Sequence, residues 1–352
     1  MRTGYSQQGM TIKVDTVIGK DAFILDSFVG EEYISNPFLF KLEMRSSNIS
    51  VNPSEIINTD VSVKFLSANT PSRFFHGVVT SFSQVGIDKQ FSYYNAEIVP
   101  RFWLLKLSQS RAIYQNVSYL EIITNILEAF GIVVENRLTA TYLIREYCVQ
   151  YDETYFDFLS RLLESEGIFY FFYFDHNGHK MVLADDATSH QDCEGGSELF
   201  YRATKPSREM SDTVSRFEST AQLVSQEVVL SDYNYHTPSS LLLSSANGQT
   251  GSGSCYEYPG CYIDSNNGEQ VSRLRLQQKQ MEAKKNHGES LCPVLQAGGA
   301  FNLSGFSNPY SNIRYVLKSV THEARDDTYI NSFEAFPDSH LYRPLRKTPK
   351  PF

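Results

Sequence analysis

Tryptophan is nearly absent, with Trp103 alone, and no apolar run is long enough to cross a bilayer. The longest, around Ile168 to Phe174, falls far short of the roughly 20 residues a spanning helix needs. Met1 to Met10 are polar, without the basic start and apolar stretch of a signal peptide. The expectation is synthesis in the cytoplasm, no direct membrane segment, and any export by a route other than a Sec-type signal. Cysteine is scarce: Cys148, Cys193, Cys255, Cys261 and Cys292 are odd in number and irregularly spaced, unlike a disulfide scaffold. They read as reduced thiols, with a Cys255–Cys261 pair as the alternative. Positive charge is also short. Against 40 Asp and Glu stand 31 Lys and Arg, and the net charge of −9 comes with no basic stripe, so no nucleic-acid partner is expected. The one short basic run (Arg343, Arg346, Lys347, Lys350) reads as a solvated tail.

Signatures of chemistry are missing too. No phosphate-binding Walker loop is present, and Gly251-Ser252-Gly253 lacks the following helix that a phosphate cradle needs. There is no Gly-x-Ser-x-Gly nucleophile turn. His322-Glu323 lacks the second histidine of a zinc protease.

What the chain has in quantity is Phe and Tyr, 24 and 22 of them, which suit half-buried strands. A length of 352 residues suggests two or three domains. After a disordered tail at 1–10, strands follow one another over 11–108. There Phe38, Phe40, Leu42 and Met44 alternate onto one face, and a run of strands without long helices suggests a barrel or sandwich. Residues 109–207 read as α/β. Ser118 and Glu121 form a capping box before Leu120, Ile123, Leu127 and Phe130, with Gly131 as the stop. Thr154 and Asp157 cap a second helix that buries Phe158, Leu159, Leu162 and Leu163 and ends at Gly167. A strand aromatic on both faces then turns at Asn177-Gly178. Residues 208–237 and 288–340 read as a second barrel, interrupted over 238–287 by a mobile Ser/Gly-rich loop and a polar helix. Glu97-Ile98-Val99-Pro100 and Glu334-Ala335-Phe336-Pro337 close hairpins of similar length entered at Val78 and Val316. Internal duplication and coincidence both explain so short a match.

Two groupings invite a catalytic reading. Asp175, His176, His179, Asp185, Asp186, His190 and Cys193 are of types that suit Zn²⁺, with His176 and His179 the metal candidates. These two histidines also flank a hairpin turn, where exposed polar residues are ordinary, and the turn reading is preferred. Glu164 and Glu166 resemble paired acid–base carboxylates, but two residues apart on a helix they point in different directions. Glu164 is expected to pair with Arg161. The aromatic wealth admits a stacking surface for sugars or bases, yet its spacing is that of core and interface. No catalytic residue and no cofactor is expected.

The run Arg145-Glu146-Tyr147-Cys148-Val149-Gln150-Tyr151, then Glu153, Phe158, Arg161, Leu162, Glu164, Glu166 and Gly167, resembles the signature of the valine-glycine repeat protein G (VgrG) family, the spike of the type VI secretion system. Ser35-Asn36-Pro37-Phe38, Phe75-His76-Gly77-Val78-Val79, Pro100-Arg101-Phe102-Trp103, Tyr256-Glu257-Tyr258-Pro259-Gly260 and Tyr342-Arg343-Pro344 extend the resemblance from about Met10 to Phe352. It implies a mainly β, α+β chain with two related tube-type β-barrels that form a pseudo-sixfold ring as a homotrimer. It also implies partners: the hexameric tube of haemolysin-coregulated protein (Hcp), baseplate components, and effectors or adaptors carried on a C-terminal part missing here. In the family, 341–352 leads into an oligonucleotide/oligosaccharide-binding barrel and a β needle, so the chain reads as the hub of a longer protein, with 341–352 a linker. The implied role is structural, with export by the type VI system toward a target cell. A metal-dependent hydrolase using His176 and His179, or a glycan-binding β module, are the alternatives.

Overall fold

The computed structural model describes residues 5–67, 70–203, 212–236, 238–307, 310–325 and 328–351. The first six strands are β1 (Ile12–Thr16), β2 (Ile24–Tyr33), β3 (Leu39–Ser46), β4 (Asp60–Phe65), β5 (Arg73–Ile87) and β6 (Ser92–Val99). They pair in the order β1-β4-β5-β6-β3-β2. Phe38, Phe40, Leu42 and Met44 are each 1% exposed, so the alternation in β3 places one face in this barrel's core as its period demands. Residues 5–10, within the tail expected to be disordered, pack on the first barrel, with the Tyr5 ring 4.5 Å from that of Phe91. Gln7 is buried, donating through Nε2 to the Val14 carbonyl and accepting from the Val14 N–H.

An α/β unit follows: β7 (Gln109–Ser118), α1 (Tyr119–Ala129), β8 (Val134–Arg137), β9 (Ile144–Thr154), α2 (Tyr155–Glu166), β10 (Phe169–Asp175) and β11 (Gly178–Ala184). Both helices start where their caps predict. Ser118 accepts from the Glu121 N–H and Thr154 from the Asp157 N–H. Gly167 ends α2 with φ of 71°, a left-handed conformation that glycine adopts at little cost. The double-faced aromatic character of β10 has a spatial cause. Tyr170, Phe172 and Phe174 enter the core shared with the first barrel, while Phe169 and Phe171 pack against Val316 and Phe336 of the second.

The second barrel is built from β12 (Glu198–Tyr201) and β13 (Thr213–Ala221), and, after an insertion, four later strands. The insertion holds β14 (Glu227–Asp232), β15 (Leu242–Asn247), β16 (Ser254–Glu257) and α3 (Ser265–Gln280). The four strands are β17 (Lys284–Ser290), β18 (Ala300–Ser304), β19 (Ile313–Arg325) and β20 (Thr328–Pro337). The order β19-β18-β12-β13-β17-β20 closes on itself through β19–β20. Three sequence expectations change here. β12 lies in the barrel rather than the α/β unit. β14, expected in the barrel, pairs with β15 and β16 in a separate sheet under α3. The expected mobile loop contains β15, which buries Leu242 and Ala246 against Tyr262 and Leu276.

The two barrels repeat one plan. β2, β3, β4, β5 and β6 take the places that β13, β17, β18, β19 and β20 take in the second. Irregularities repeat as well: pairing shifts between Val79 and Ser81 and between Leu317 and Ser319, and again between Leu25 and Ser27 and between Val214 and Arg216. Val99, Ile98 and Glu97 face Val78, Val79 and Ser81, as Phe336, Ala335 and Glu334 face Val316, Leu317 and Ser319. The short Glu97–Pro100 and Glu334–Pro337 match therefore marks true structural repetition. Only β12 departs, running parallel to β18 where β1 runs antiparallel to β4. The barrels are fused edge to edge by antiparallel pairing of β2 with β19.

Candidate functional site

The signature residues do not converge on a cleft with reactive groups; they build a joint. Arg161 on α2 grips Glu153 with two hydrogen bonds, Nε to Oε2 at 2.8 Å and Nη2 to Oε1 at 2.6 Å, and also donates to the Val149 carbonyl. This corrects the expected Arg161–Glu164 pair: the two are neighbours on α2, but Arg161 is taken by Glu153 of β9 and Glu164 by residues near the end of the chain. Glu164 instead accepts from the Lys347 and Thr348 backbone N–H groups and the Thr348 hydroxyl. Burial, the largest influence on it, lifts its carboxyl above the ordinary range. Glu166 pairs with Arg145 at 3.0 Å. Phe158 and Leu162 are buried, Gln150 is buried and donates to the Glu153 carbonyl, and Tyr147 and Tyr151 are exposed on the outer face of β9.

Residues 341–350 form a strap rather than a solvated tail. Tyr342 is buried against Phe169 and Phe336. Arg343 donates through Nη1 to the carbonyls of Gly167 and Asp185, and Gln278 of α3 donates to the Pro344 and Glu164 carbonyls. Arg346 reaches Glu257 at 3.4 Å.

The turn at Asn177-Gly178 separates the two metal candidates. His176 is exposed at its tip. His179 points inward against Phe38 and Phe172, with Nδ1 at 3.0 Å from Nδ1 of His76. Its Nε2 accepts from the Arg101 N–H at 3.3 Å, so Nδ1 carries the proton and donates to His76. Burial holds His179 down at about 3 and also lowers His76. The other proposed ligands scatter. Asp185 accepts from Thr139, Ala140 and Tyr142. Asp186 caps a short helical turn. His190 stacks on Phe169, donates to the Gly298 carbonyl and is held down at about 4, chiefly by burial. Among the described residues no three His, Cys, Asp or Glu gather as a metal site would require. Burial also pushes the thiols of Cys148 and Cys193 up to about 11 and of Cys292 up to about 12, far from nucleophile character.

A second buried network, which sequence reading missed, crosses the barrel fusion. Arg73 donates to Glu32 at 2.7 Å, and His322 Nε2 donates to the same oxygen at 3.0 Å. His322 Nδ1 accepts from the Tyr329 hydroxyl at 2.6 Å, and that oxygen accepts from Asn331. Arg73 also donates to Gln296 and lies over the rings of Phe75 and Phe174. Burial lowers His322, keeping it neutral; Glu32 is held below its usual range because Arg73 and His322 outweigh a larger burial penalty than any single one of them. The order Tyr–His–Glu looks like a proton relay, but Glu32 and His322 are buried and Tyr329 is partly so. It works as a lock between barrels. Its members lie far apart in the sequence, so spacing offered no signal.

Two open concavities lie elsewhere. One of about 360 Å³ on the second barrel is lined by Arg216, Glu218, His287 and Glu334. Another of about 340 Å³ lies between the α/β unit and α3, lined by Arg145, Glu166, Arg275 and Arg343. Neither contains the histidines discussed above. No helix among the described residues is long and apolar enough to cross a membrane.

Two barrels of one plan, fused edge to edge and braced by an α/β unit, define a tail-hub type of fold. Residues 31–328 match the phage tail baseplate hub (GPD) family, and the chain belongs to it. It is 30% identical over 357 residues to the type VI secretion system spike protein VgrG1a of Pseudomonas aeruginosa, covering 97% of this chain and 55% of that one. The chain thus spans about half the length of this curated relative. In fold it is similar to an Escherichia coli type VI secretion component described as structurally similar to the T4 bacteriophage tail proteins gp27 and gp5. The TM-score is 0.73 at 22% identity, with 97% of this chain and 80% of that one covered. It is also similar to the 43 kDa tail protein of prophage MuSo2 from Shewanella oneidensis, with a TM-score of 0.64 at 11% identity and coverage of 94% and 98%.

Proposed function

We propose that this chain is the hub of a type VI secretion spike: a homotrimer whose six barrels make a pseudo-sixfold ring that seats on the hexameric Hcp tube. The observation that carries this reading is the repetition of the barrel plan down to its bulges. A threefold object can meet a sixfold one only if each subunit offers two similar faces, and duplication supplies them. The role is mechanical and the hub breaks no bonds. Its buried histidines and thiols are spent on packing, which supports a non-enzymatic reading over a hydrolase. Effectors and baseplate components would be met by the assembled spike, which leaves the cell through the type VI system. Light scattering of the purified chain tests the assembly. The expected mass is three times 40.1 kDa; a monomer at every concentration would count against the hub reading.

A further inference from the structure

The concavity between the α/β unit and α3, about 340 Å³ in volume, is walled by four arginines (Arg145, Arg273, Arg275 and Arg343) and a single carboxylate, Glu166. Glu166 is taken by Arg145 at 3.0 Å, and the exposed Arg273 pairs with Glu269 at 3.1 Å. The other two arginines are poorly neutralised. Arg275 has a loose partner in Glu257, 3.8 Å from its Nε, and Glu257 is shared with Lys279 and Arg346. Arg343 donates to neutral oxygens, Oε1 of Gln277 and the carbonyls of Gly167 and Asp185. The Asp185 carboxylate, whose charge favours Arg343, is itself taken up by Thr139, Ala140 and Tyr142.

Hydrogen bonding is incomplete at the same place. Arg275 is 3% exposed and Asn267 6%, yet Nε of Arg275 and Oδ1 of Asn267 have no hydrogen-bond partner among the described residues, and neither has Nε of Arg145. Buried polar atoms in a folded chain are nearly always satisfied. Three unsatisfied ones on residues that wall one cavity call for a ligand. Burial, with repulsion from Arg346, also holds Arg275 down to about 10, so its surroundings resist a charge that an incoming anion would stabilise.

These groups describe the occupant. Unpartnered guanidinium N–H groups want an anionic oxygen, and the Asn267 oxygen wants a donor. Leu143, Val271 and Leu274 supply apolar wall. The volume suits a small molecule rather than a folded partner. We infer that this concavity binds a small organic anion, its carboxylate or phosphate between Arg275 and Arg343, its donor on Asn267 and its apolar part against α3. The site goes beyond the hub reading, and neither depends on the other.

Isothermal titration of the intact chain tests it with three probes. N-acetylphenylalanine carries a carboxylate, an N–H and an apolar body; its amide lacks the charge; phenyl phosphate offers the other head group. At least one of the two anions should bind, the tighter one naming the head group, and the amide should bind about tenfold weaker or worse than the carboxylate if that is the group recognised. Cys261 lines the same cavity and is exposed, so the bound anion should slow its alkylation by iodoacetamide. Arg275→Met should abolish binding. Because that arginine is buried, a second pair of variants is placed at the exposed Gln270 on the cavity wall. Gln270→Glu should weaken the anion about tenfold and Gln270→Lys should tighten it. Failure of both anions to bind at millimolar concentration would overturn the site. So would an amide that binds as well as both anions, or binding that neither protects Cys261 nor responds to Gln270→Glu.

Discussion

Arg73 and Glu32 are 5% and 3% exposed, so neither can lose its partner without stranding a buried charge. Arg73→Met should destabilise the chain by about 3–5 kcal/mol, the usual cost of breaking a buried pair from one side. Adding Glu32→Leu should recover much of that loss, since apolar replacement of both partners is often neutral. Urea unfolding of the single and double variants reads both effects. The buried histidines set a pH response. His179 and His190 titrate at about 3 and about 4 when folded against an ordinary value of 6.5, so the unfolded chain binds more protons between those limits. Their contribution is therefore complete above about pH 6.5 and declines as pH falls through that window. His179→Gln keeps an acceptor for the Arg101 N–H but does not titrate, and should flatten the acid side of a thermal-stability profile between about pH 6 and 4. An unchanged slope would mean that His179 is not held neutral by its burial.

At the scale of elements, α2 and the strap stand or fall together. A Cβ on Gly167 would lie 2.4 Å from Leu274 of α3 and 3.3 Å from the Arg343 side chain, at a φ that other residues seldom adopt. Gly167→Ala should cost about 1 kcal/mol in backbone strain before any displacement of α3. Hydrogen exchange should quicken in both α3 and 341–350. Glu164→Ala removes the acceptor of two strap amides, and trypsin should then cut sooner at Arg346 and Lys347. Equal cutting rates in parent and variant would show that the strap is held by other contacts. Both helices and the β10–β11 hairpin were legible in the sequence, because caps, left-handed glycines and Asn-Gly turns act within a few residues. β14 was not, since its alternation of buried and exposed residues suits either sheet, and only long-range pairing decides. His179 was read against its sequence neighbour His176, when its partner, His76, arrives from a strand of the first barrel. Glu164 was read as a helix-surface charge because its partners lie at the far end of the chain.

For the whole molecule, repetition carries the functional account. Four residues at the end of each barrel hinted at it, and the matching bulges in β2, β5, β13 and β19 establish it. The proposed ring comes from family resemblance, because no local pattern encodes how barrels are arranged around an axis. Electron microscopy of the purified chain tests the central claim most directly. The account predicts particles with threefold symmetry and six barrel-sized lobes around an open centre. A lone two-lobed particle, or a ring with a number of lobes other than six, would contradict it.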